Sequence, residues 1–130
     1  MFFDILPDSP IPIFQQIVSQ VIFGIASGGV EVGALIPSVR ELALQLTVHP
    51  NTVAKAYQEL ERRGVLEAKR GRGMEVTTGA PKICRGQRQE IIRGRIRAAL
   101  REAVASALPE DEVRNLVEEE LHRVNGKALR

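Results

Sequence analysis

Apolar residues between positions 37 and 64 recur with the spacing of two consecutive short helices. In each group they lie three and four positions apart, and a break at residues 47–49 separates the groups. The apolar positions of the two groups are Val39, Leu42, Ala43 and Leu46, and then Val53, Ala56, Tyr57 and Leu60. Because residues three and four apart share one face of a helix, the pattern predicts two amphipathic helices joined by a tight turn.

Residues 65–69 and 73–76 alternate between apolar and polar positions, which predicts two short strands. The turn and the strand residues that flank it, residues 69–73, hold two glycines and the cations Lys69, Arg70 and Arg72. Two helices joined by a three-residue turn and followed by a basic hairpin are typical of a winged helix-turn-helix, in which the second helix enters the DNA major groove.

Terminal signals support these helices. Ser38 followed by Glu41 forms a capping-box pattern, and Pro50 stands where the second helix would begin, next to His49. A further helix is predicted upstream, from Ile13 to Ser27, and its apolar face is so wide that two other surfaces should cover it. We expect residues 30–36 to be a loop.

The remainder of the chain predicts a helical tail. Residues 1–78 form the winged domain, residues 79–86 a linker, and residues 87–130 two amphipathic helices that break at Pro109 and end at Asn125–Gly126. Two short helices cannot bury both apolar faces alone. We therefore expect the tail to dimerise through its apolar positions, namely Ile92, Ile96, Leu100, Val104, Leu116 and Leu121. The expected fold class is mainly α with a small β-wing.

Composition excludes several classes of protein. The 130 residues carry a net charge of +2 and one cysteine, Cys84, so an intrachain disulfide is excluded. No run of apolar residues is long enough to span a membrane and no signal peptide is evident, so we expect a cytoplasmic protein. No metal-ligand cluster, cofactor motif or nucleophile–base set is present, and enzymatic activity is not expected.

Positive charge is concentrated locally. Residues 1–78 hold 7 Lys/Arg against 8 Asp/Glu, whereas residues 79–130 hold 11 against 8. On the second helix a polar stripe without acidic or apolar residues lies opposite the apolar face. This stripe, called the recognition stripe below, consists of Asn51, Lys55, Gln58 and Arg62. Asn and Gln suit the adenine edge, and Lys suits guanine or a phosphate. Because the N-terminal turn of a recognition helix reaches deepest, Asn51 and Lys55, with Thr52 beside them, are the better candidates for base contact.

The candidate DNA-contacting residues lie on the two helices and in the wing turn. They are Ser38, Arg40, His49, Asn51, Thr52, Lys55, Gln58, Arg62, Lys69, Arg70, Gly71 and Arg72. For Arg40 the alternatives are a phosphate or an ion pair with Glu41 or Glu31. His49 either contacts the helix-start backbone or DNA, and Arg62 is too far along its helix for anything but a phosphate.

Five segments closely resemble the DNA-binding domain of GntR-type bacterial transcription regulators. They are residues 10–17, 35–43, 51–57, 60–64 and 70–73, in order and without large gaps. The short tail is similar to that of the YtrA subfamily. Two departures from the family pattern are Pro50 and Ala54, where many members carry a basic residue.

This resemblance implies a homodimeric repressor on a pseudo-palindromic operator, with transporter operons as frequent targets of YtrA-like members. It also implies DNA contacts by Arg40, Asn51, Thr52, Arg70 and Gly71. Two other functions stay open, a protein-interaction module and an architectural or plasmid-maintenance DNA binder. The sequence does not identify a small-molecule effector; a pocket for one would have to lie between tail and winged domain or at the dimer seam.

Overall fold

The computed structural model describes residues 3–128, which form five helices and three strands. In chain order they are α1 (Ile13–Ala26), β1 (Leu35–Ile36), α2 (Val39–Leu46), α3 (Pro50–Arg62), β2 (Leu66–Lys69), β3 (Gly73–Val76), α4 (Ala80–Ala105) and α5 (Glu110–Ala128). The predicted class, mainly α with a small β-wing, is confirmed. None of the described helices combines the length and apolarity needed to cross a bilayer.

The chain divides into two compact units, one ending at Ile91 and the other beginning at Ile92. The first unit is built around α1, whose buried apolar residues form the centre of the core and whose main packing partner is α3. These buried positions are Ile17, Val18, Val21, Ile22 and Ile25. Their three- and four-residue spacing explains why this segment is helical and which face it buries.

Besides α3, the N-terminal segment, residues 4–11, also packs along α1. The buried Gln16 amide accepts a hydrogen bond from the backbone N–H of Leu6 at 2.8 Å and donates to the carbonyl oxygens of Leu6 and Ile11. Gln20 makes the same kind of paired contact with the backbone of Asp4. Two glutamines one turn apart therefore fasten residues 4–11 along the helix, which accounts for its wide buried face.

The sheet is antiparallel, with strand order β1-β3-β2. The β2–β3 hairpin is the predicted wing, in register from Leu66 opposite Val76 to Lys69 opposite Gly73. The sequence placed a loop over residues 30–36, but Leu35–Ile36 forms β1 and pairs with β3. Two residues are too few to show the strand period, and the pairing depends on a distant strand, so the pattern gave no signal.

The linker predicted over residues 79–86 is wrong, because α4 begins at Ala80. Pro81 fits the first turn of a helix, where its missing N–H is not needed. Ala80 and Cys84, one turn apart, are fully buried in the core of the first unit. The helix thus begins early because these two side chains pack into the core.

The second unit contains the end of α4 and all of α5. The acids Glu110, Asp111 and Glu112 occupy the first turn of α5, as expected after the break at Pro109. The predicted end at Asn125–Gly126 is wrong, since α5 continues to Ala128. Gly126 does not adopt the positive φ of a helix-ending glycine, so the helix continues through it.

Candidate nucleic-acid interface

The helix-turn-helix is fixed by hydrogen bonds at each helix end. Ser38 Oγ accepts from the Glu41 backbone N–H at 3.1 Å, and the Glu41 carboxylate accepts from the Ser38 N–H at 3.2 Å. This is the predicted capping box, and it occupies the Ser38 side chain. At the other end of α2, Thr47 adopts a left-handed conformation with φ 55°, and the Val48 N–H donates to the Ala43 carbonyl. The chain then turns directly into α3.

His49 caps the N-terminus of α3. Its Nδ1 accepts a hydrogen bond from the Asn51 backbone N–H at 3.0 Å, and Pro50 follows at the first helical position. Of the two alternatives for His49, the structure shows the contact with the helix-start backbone, and contact with DNA stays a prediction. Because Nδ1 accepts, the ring proton belongs on Nε2 in this arrangement, at the exposed start of the recognition helix.

The inner face of α3 is the predicted one, since Val53, Ala56, Tyr57 and Leu60 are all buried. Tyr57 also donates a hydrogen bond from its hydroxyl to the Pro37 carbonyl oxygen at 2.7 Å. Burial raises the pKa of Tyr57, and the nearby Glu41 charge raises it further. This contact anchors α3 to the segment that leads into α2.

The recognition stripe is exposed along its whole length. Asn51, Lys55, Gln58 and Arg62 all lie on the open surface of α3, and Thr52 beside them is half-buried. The stripe thus offers two neutral amides towards solvent, which suits hydrogen bonding to base edges.

Two cations of the stripe are already engaged within the protein. The Lys55 ammonium lies 4.0 Å from the ring centroid of Phe14 on α1. Arg62 forms an ion pair with Glu59, one turn earlier on α3. The prediction that Arg62 contacts a phosphate therefore needs this ion pair to open.

Glu59 is the centre of a small charged network that sequence analysis missed. Its carboxylate accepts from Arg62 Nε at 3.0 Å and from Arg63 Nε at 2.6 Å, and Arg63 also donates to the Gln87 side chain on α4 at 3.0 Å. Hydrogen bonds from the two guanidinium groups lower the pKa of Glu59 to about 2. The spacing of three and four positions was the available signal.

Of the three cations in the wing turn, two form ion pairs within the wing and one does not. Lys69 pairs with Glu67 at 2.9 Å, and Arg72 lies 3.5 Å from Glu75. Arg70 is exposed, and within residues 3–128 no carboxylate forms an ion pair with it. The wing therefore presents one uncompensated guanidinium at its tip.

The backbone of the turn explains why Arg70 projects. The Arg72 N–H donates to the Lys69 carbonyl at 2.8 Å, which closes a β-turn with Arg70 and Gly71 at its centre. Gly71 has φ +78° and open space where a Cβ would stand. A glycine is favoured at that position of the turn because φ is positive.

Arg40 is the corresponding unpaired cation on α2. It is exposed, and neither Glu41 nor Glu31 forms an ion pair with it in the part of the chain that the structure describes. Glu41 is instead held by the capping box. The alternative that Arg40 pairs with one of these acids is therefore not what the structure shows.

The six tail residues expected to dimerise are all exposed. Their relative exposures run from 40% for Leu100 to 74% for Val104, so no described part of the chain buries them. Leu100, Val104, Leu108, Val113 and Val117 line an apolar groove of about 680 Å³ between α4 and α5. The second unit thus leaves both of its apolar stripes in contact with solvent.

The remaining reactive side chain is not part of this interface. Cys84 is buried in the core of the first unit, and burial raises its pKa to about 11. Among the described residues no group of His, Cys, Asp or Glu has an arrangement that could hold a metal ion.

Comparison with known proteins gives one consistent family. The model of bacterial regulatory proteins of the gntR family matches residues 13–76. The chain is 46% identical over 74 residues to the transcriptional repressor YtrA of Bacillus subtilis, which covers 57% of this chain and 57% of that protein. The chain therefore matches little more than half the length of this relative.

Solved structures extend the likeness to the tail. YtrA from Sulfolobus acidocaldarius, a GntR-family transcription factor, is 31% identical with a TM-score of 0.57, over 95% of this chain and 99% of that one. The DNA-binding domain of AraR in complex with operator ORX1 is 26% identical with a TM-score of 0.53, over 59% of this chain and 99% of that one. These relatives are regulators rather than enzymes, as the sequence analysis expected.

Proposed function

The chain belongs to the GntR family of bacterial regulatory proteins, and on this basis we propose that it binds an operator in duplex DNA through α3 and the β2–β3 wing. One observation carries the proposal. Arg40 and Arg70 are exposed cations without an ion pair among the described residues, one on α2 and one at the wing tip. Unpaired guanidinium groups suit phosphate recognition.

The recognition stripe would supply sequence selectivity. Asn51 and Gln58 present amides that match the N6 and N7 edge of adenine, and the N-terminal turn of a recognition helix reaches deepest into the groove. Asn51 and Thr52 lie in that turn. The AraR domain, which is similar in fold, is in complex with an operator, which supports DNA binding by this fold.

We propose that the tail joins two copies of the chain. Large apolar side chains of α4 and α5 form exposed stripes, and contiguous exposed apolar patches mark interaction surfaces. Charge also favours self-association, because this part of α4 carries Arg97 and Arg101 whereas α5 carries the run Glu118–Glu120. A homodimer would present two recognition helices to a pseudo-palindromic operator.

The regulatory outcome is proposed from the relatives. The Bacillus relative is named a repressor, so we propose repression, exerted in the cytoplasm where the operator lies. A transporter operon is the expected target, as the resemblance to YtrA-like proteins implies.

Selection from a random duplex pool, followed by footprinting of the selected sequence, tests this function. We expect enrichment of an inverted repeat, with protection of two half-sites about one helical turn or a multiple of it apart. Enrichment of a single unrepeated site would contradict the dimer, and the absence of any enrichment at low ionic strength would contradict operator recognition.

A further inference from the structure

The contact between Lys55 and Phe14 joins the recognition helix to α1. The Lys55 ammonium lies 4.0 Å from the centroid of the Phe14 ring, well within the range of a cation–π interaction. Phe14 is the second residue of α1 and is half-buried, with part of its ring packed against the hydrophobic core. Packing against the core restricts the ring, which forms the platform for the lysine.

The acidic residue on α3 that could form an ion pair with Lys55 already has other partners. Glu59 lies four positions after Lys55, the spacing at which a helix forms an ion pair. Its carboxylate is instead held by Arg62 and Arg63. No ion pair among the described residues involves Lys55, and the first turn of α1 carries no acid.

This arrangement leaves the Lys55 charge uncompensated while restricting its position. A ring attracts the cation without neutralising it, so the ammonium keeps its full attraction for an anion. A lysine side chain otherwise loses considerable rotamer freedom when it is fixed on a ligand. Contact with Phe14 has already removed part of that freedom before DNA arrives.

The platform also determines which anion the lysine can reach. Lys55 leans towards α1, away from the middle of the recognition stripe where Asn51 and Gln58 face outwards. The sides of a helix in the major groove face the phosphate backbones, whereas its middle faces the base edges.

We propose that Phe14 is a positioning residue for DNA binding, which holds Lys55 at the edge of the recognition stripe for contact with a backbone phosphate. The proposal rests on the DNA-binding function above. It assigns Lys55 to affinity rather than to base selection, and it gives an aromatic side chain on α1 a role in a surface formed by α3 and the wing.

A double-mutant cycle on the selected duplex, titrated at several salt concentrations, tests the proposal. The variants are Phe14→Leu, Phe14→Tyr, Lys55→Met and the Phe14→Leu/Lys55→Met double variant. Lys55→Met should weaken binding and reduce the salt slope by about one, with base preference unchanged. Phe14→Leu should weaken binding by about two- to fivefold while keeping the wild-type slope.

Coupling between the two positions is the decisive result. In the Lys55→Met background, Phe14→Leu should cause no further loss of affinity for the duplex. Phe14→Tyr keeps an aromatic ring and should bind with wild-type affinity. Phe23→Leu is the matched control, because it removes a partly buried ring from the same helix, and its effect should be independent of Lys55.

An NMR measurement on the wild-type protein tests the contact between Lys55 and Phe14 even if a variant fails to fold. In the wild-type protein the ε-methylene protons of Lys55 should show an upfield ring-current shift by NMR. The shift should be kept in Phe14→Tyr. Its absence from the wild type would overturn the proposal without any binding measurement.

Three binding results would also overturn it. They are additive effects of Phe14→Leu and Lys55→Met, wild-type affinity in Phe14→Leu, and relaxed preference at one base pair in Lys55→Met. A wild-type protein that binds no duplex would contradict the proposed function as well, whereas normal operator binding with an uncoupled Phe14 contradicts the positioning role alone.

Discussion

The hydroxyl of Tyr57 on the recognition helix donates a hydrogen bond to the carbonyl oxygen of Pro37, 2.7 Å away. Pro37 directly precedes Ser38, which caps α2. One side chain thus connects the buried face of α3 to the start of α2. Because both helices carry candidate DNA contacts, the bond helps to hold Arg40 and the recognition stripe in one fixed arrangement.

Tyr57→Phe should lower the free energy of unfolding by about 1 kcal/mol, since it removes this hydrogen bond and leaves the Pro37 carbonyl without its partner. Chemical unfolding followed by circular dichroism measures the change. An unchanged stability would contradict the anchoring role of Tyr57.

The ionisation of Tyr57 gives a second check on the same contact. Its pKa is raised in the folded protein, so the stability it contributes is complete below about pH 10, the ordinary tyrosine value, and is lost as the pH rises above it. Tyr57 is the only tyrosine and there is no tryptophan, so phenolate absorbance reports this group alone. Ionisation of the native protein at the ordinary pKa would contradict its burial.

Thr47→Gly should stabilise the protein by up to about 1 kcal/mol. Thr47 has φ 55°, and a β-branched side chain is strained in this left-handed region, whereas glycine is not. Ala107→Gly offers a matched case in the tail, where φ is 65°. Thermal unfolding measures both. A large loss of stability in Thr47→Gly would show that the threonine side chain contributes more than its backbone strain costs.

Glu59→Gln should increase affinity for DNA at low salt and steepen the salt slope, because it releases Arg62 from its ion pair. Glu61→Gln is the control, since it removes the same charge from an exposed position on the same helix. Equal effects of the two substitutions would mean that net charge, and not the release of Arg62, changes binding.

The same network predicts a dependence of stability on acid. The pKa of Glu59 falls from 4.5 to about 2 in the folded protein. Its stabilising contribution is therefore present above pH 4.5 and is lost as the pH falls towards 2. Acid unfolding of the Glu59→Gln variant should lack this component, and a titration identical to that of the wild type would contradict the ion pairs.

Ile96→Asp should convert the proposed dimer into a monomer, because it places a charge within the exposed apolar stripe of α4. Ala98→Asp is the matched control, since residue 98 lies on the opposite side of the same helix. Sedimentation velocity distinguishes the two states. Dimers that persist in Ile96→Asp would rule out this stripe as the interface.

Local sequence signals made the two helices of the helix-turn-helix predictable. The capping box at Ser38 and the 3.6-residue period through Val53 and Leu60 are encoded within a few positions, and the structure has both. Contacts between distant segments were not predictable in this way. One example is the pairing of β1 with β3, and another is the hydrogen bond between Gln16 and the backbone of the N-terminal segment. Both depend on which backbone groups the fold brings together.

The errors have a common physical cause. The linker predicted over residues 79–86 contains Pro81 and the predicted helix end contains Gly126, but each residue also fits inside a helix when its surroundings favour one. Similarly, the sequence placed Lys55 and Arg62 on an outward stripe but could not show that a ring and a carboxylate already engage them. Side-chain pairing is decided by packing, which periodicity does not describe.

The most direct test of the DNA interface is a band-shift measurement of affinity for the selected duplex at one fixed salt concentration. It compares the wild type with Arg40→Ala, Arg70→Ala and Lys69→Ala. Arg40→Ala and Arg70→Ala should each weaken binding by about 1–3 kcal/mol. Lys69→Ala should weaken it less, because Lys69 is paired with Glu67. Wild-type affinity in both arginine variants would contradict the assignment of α2 and the wing to DNA.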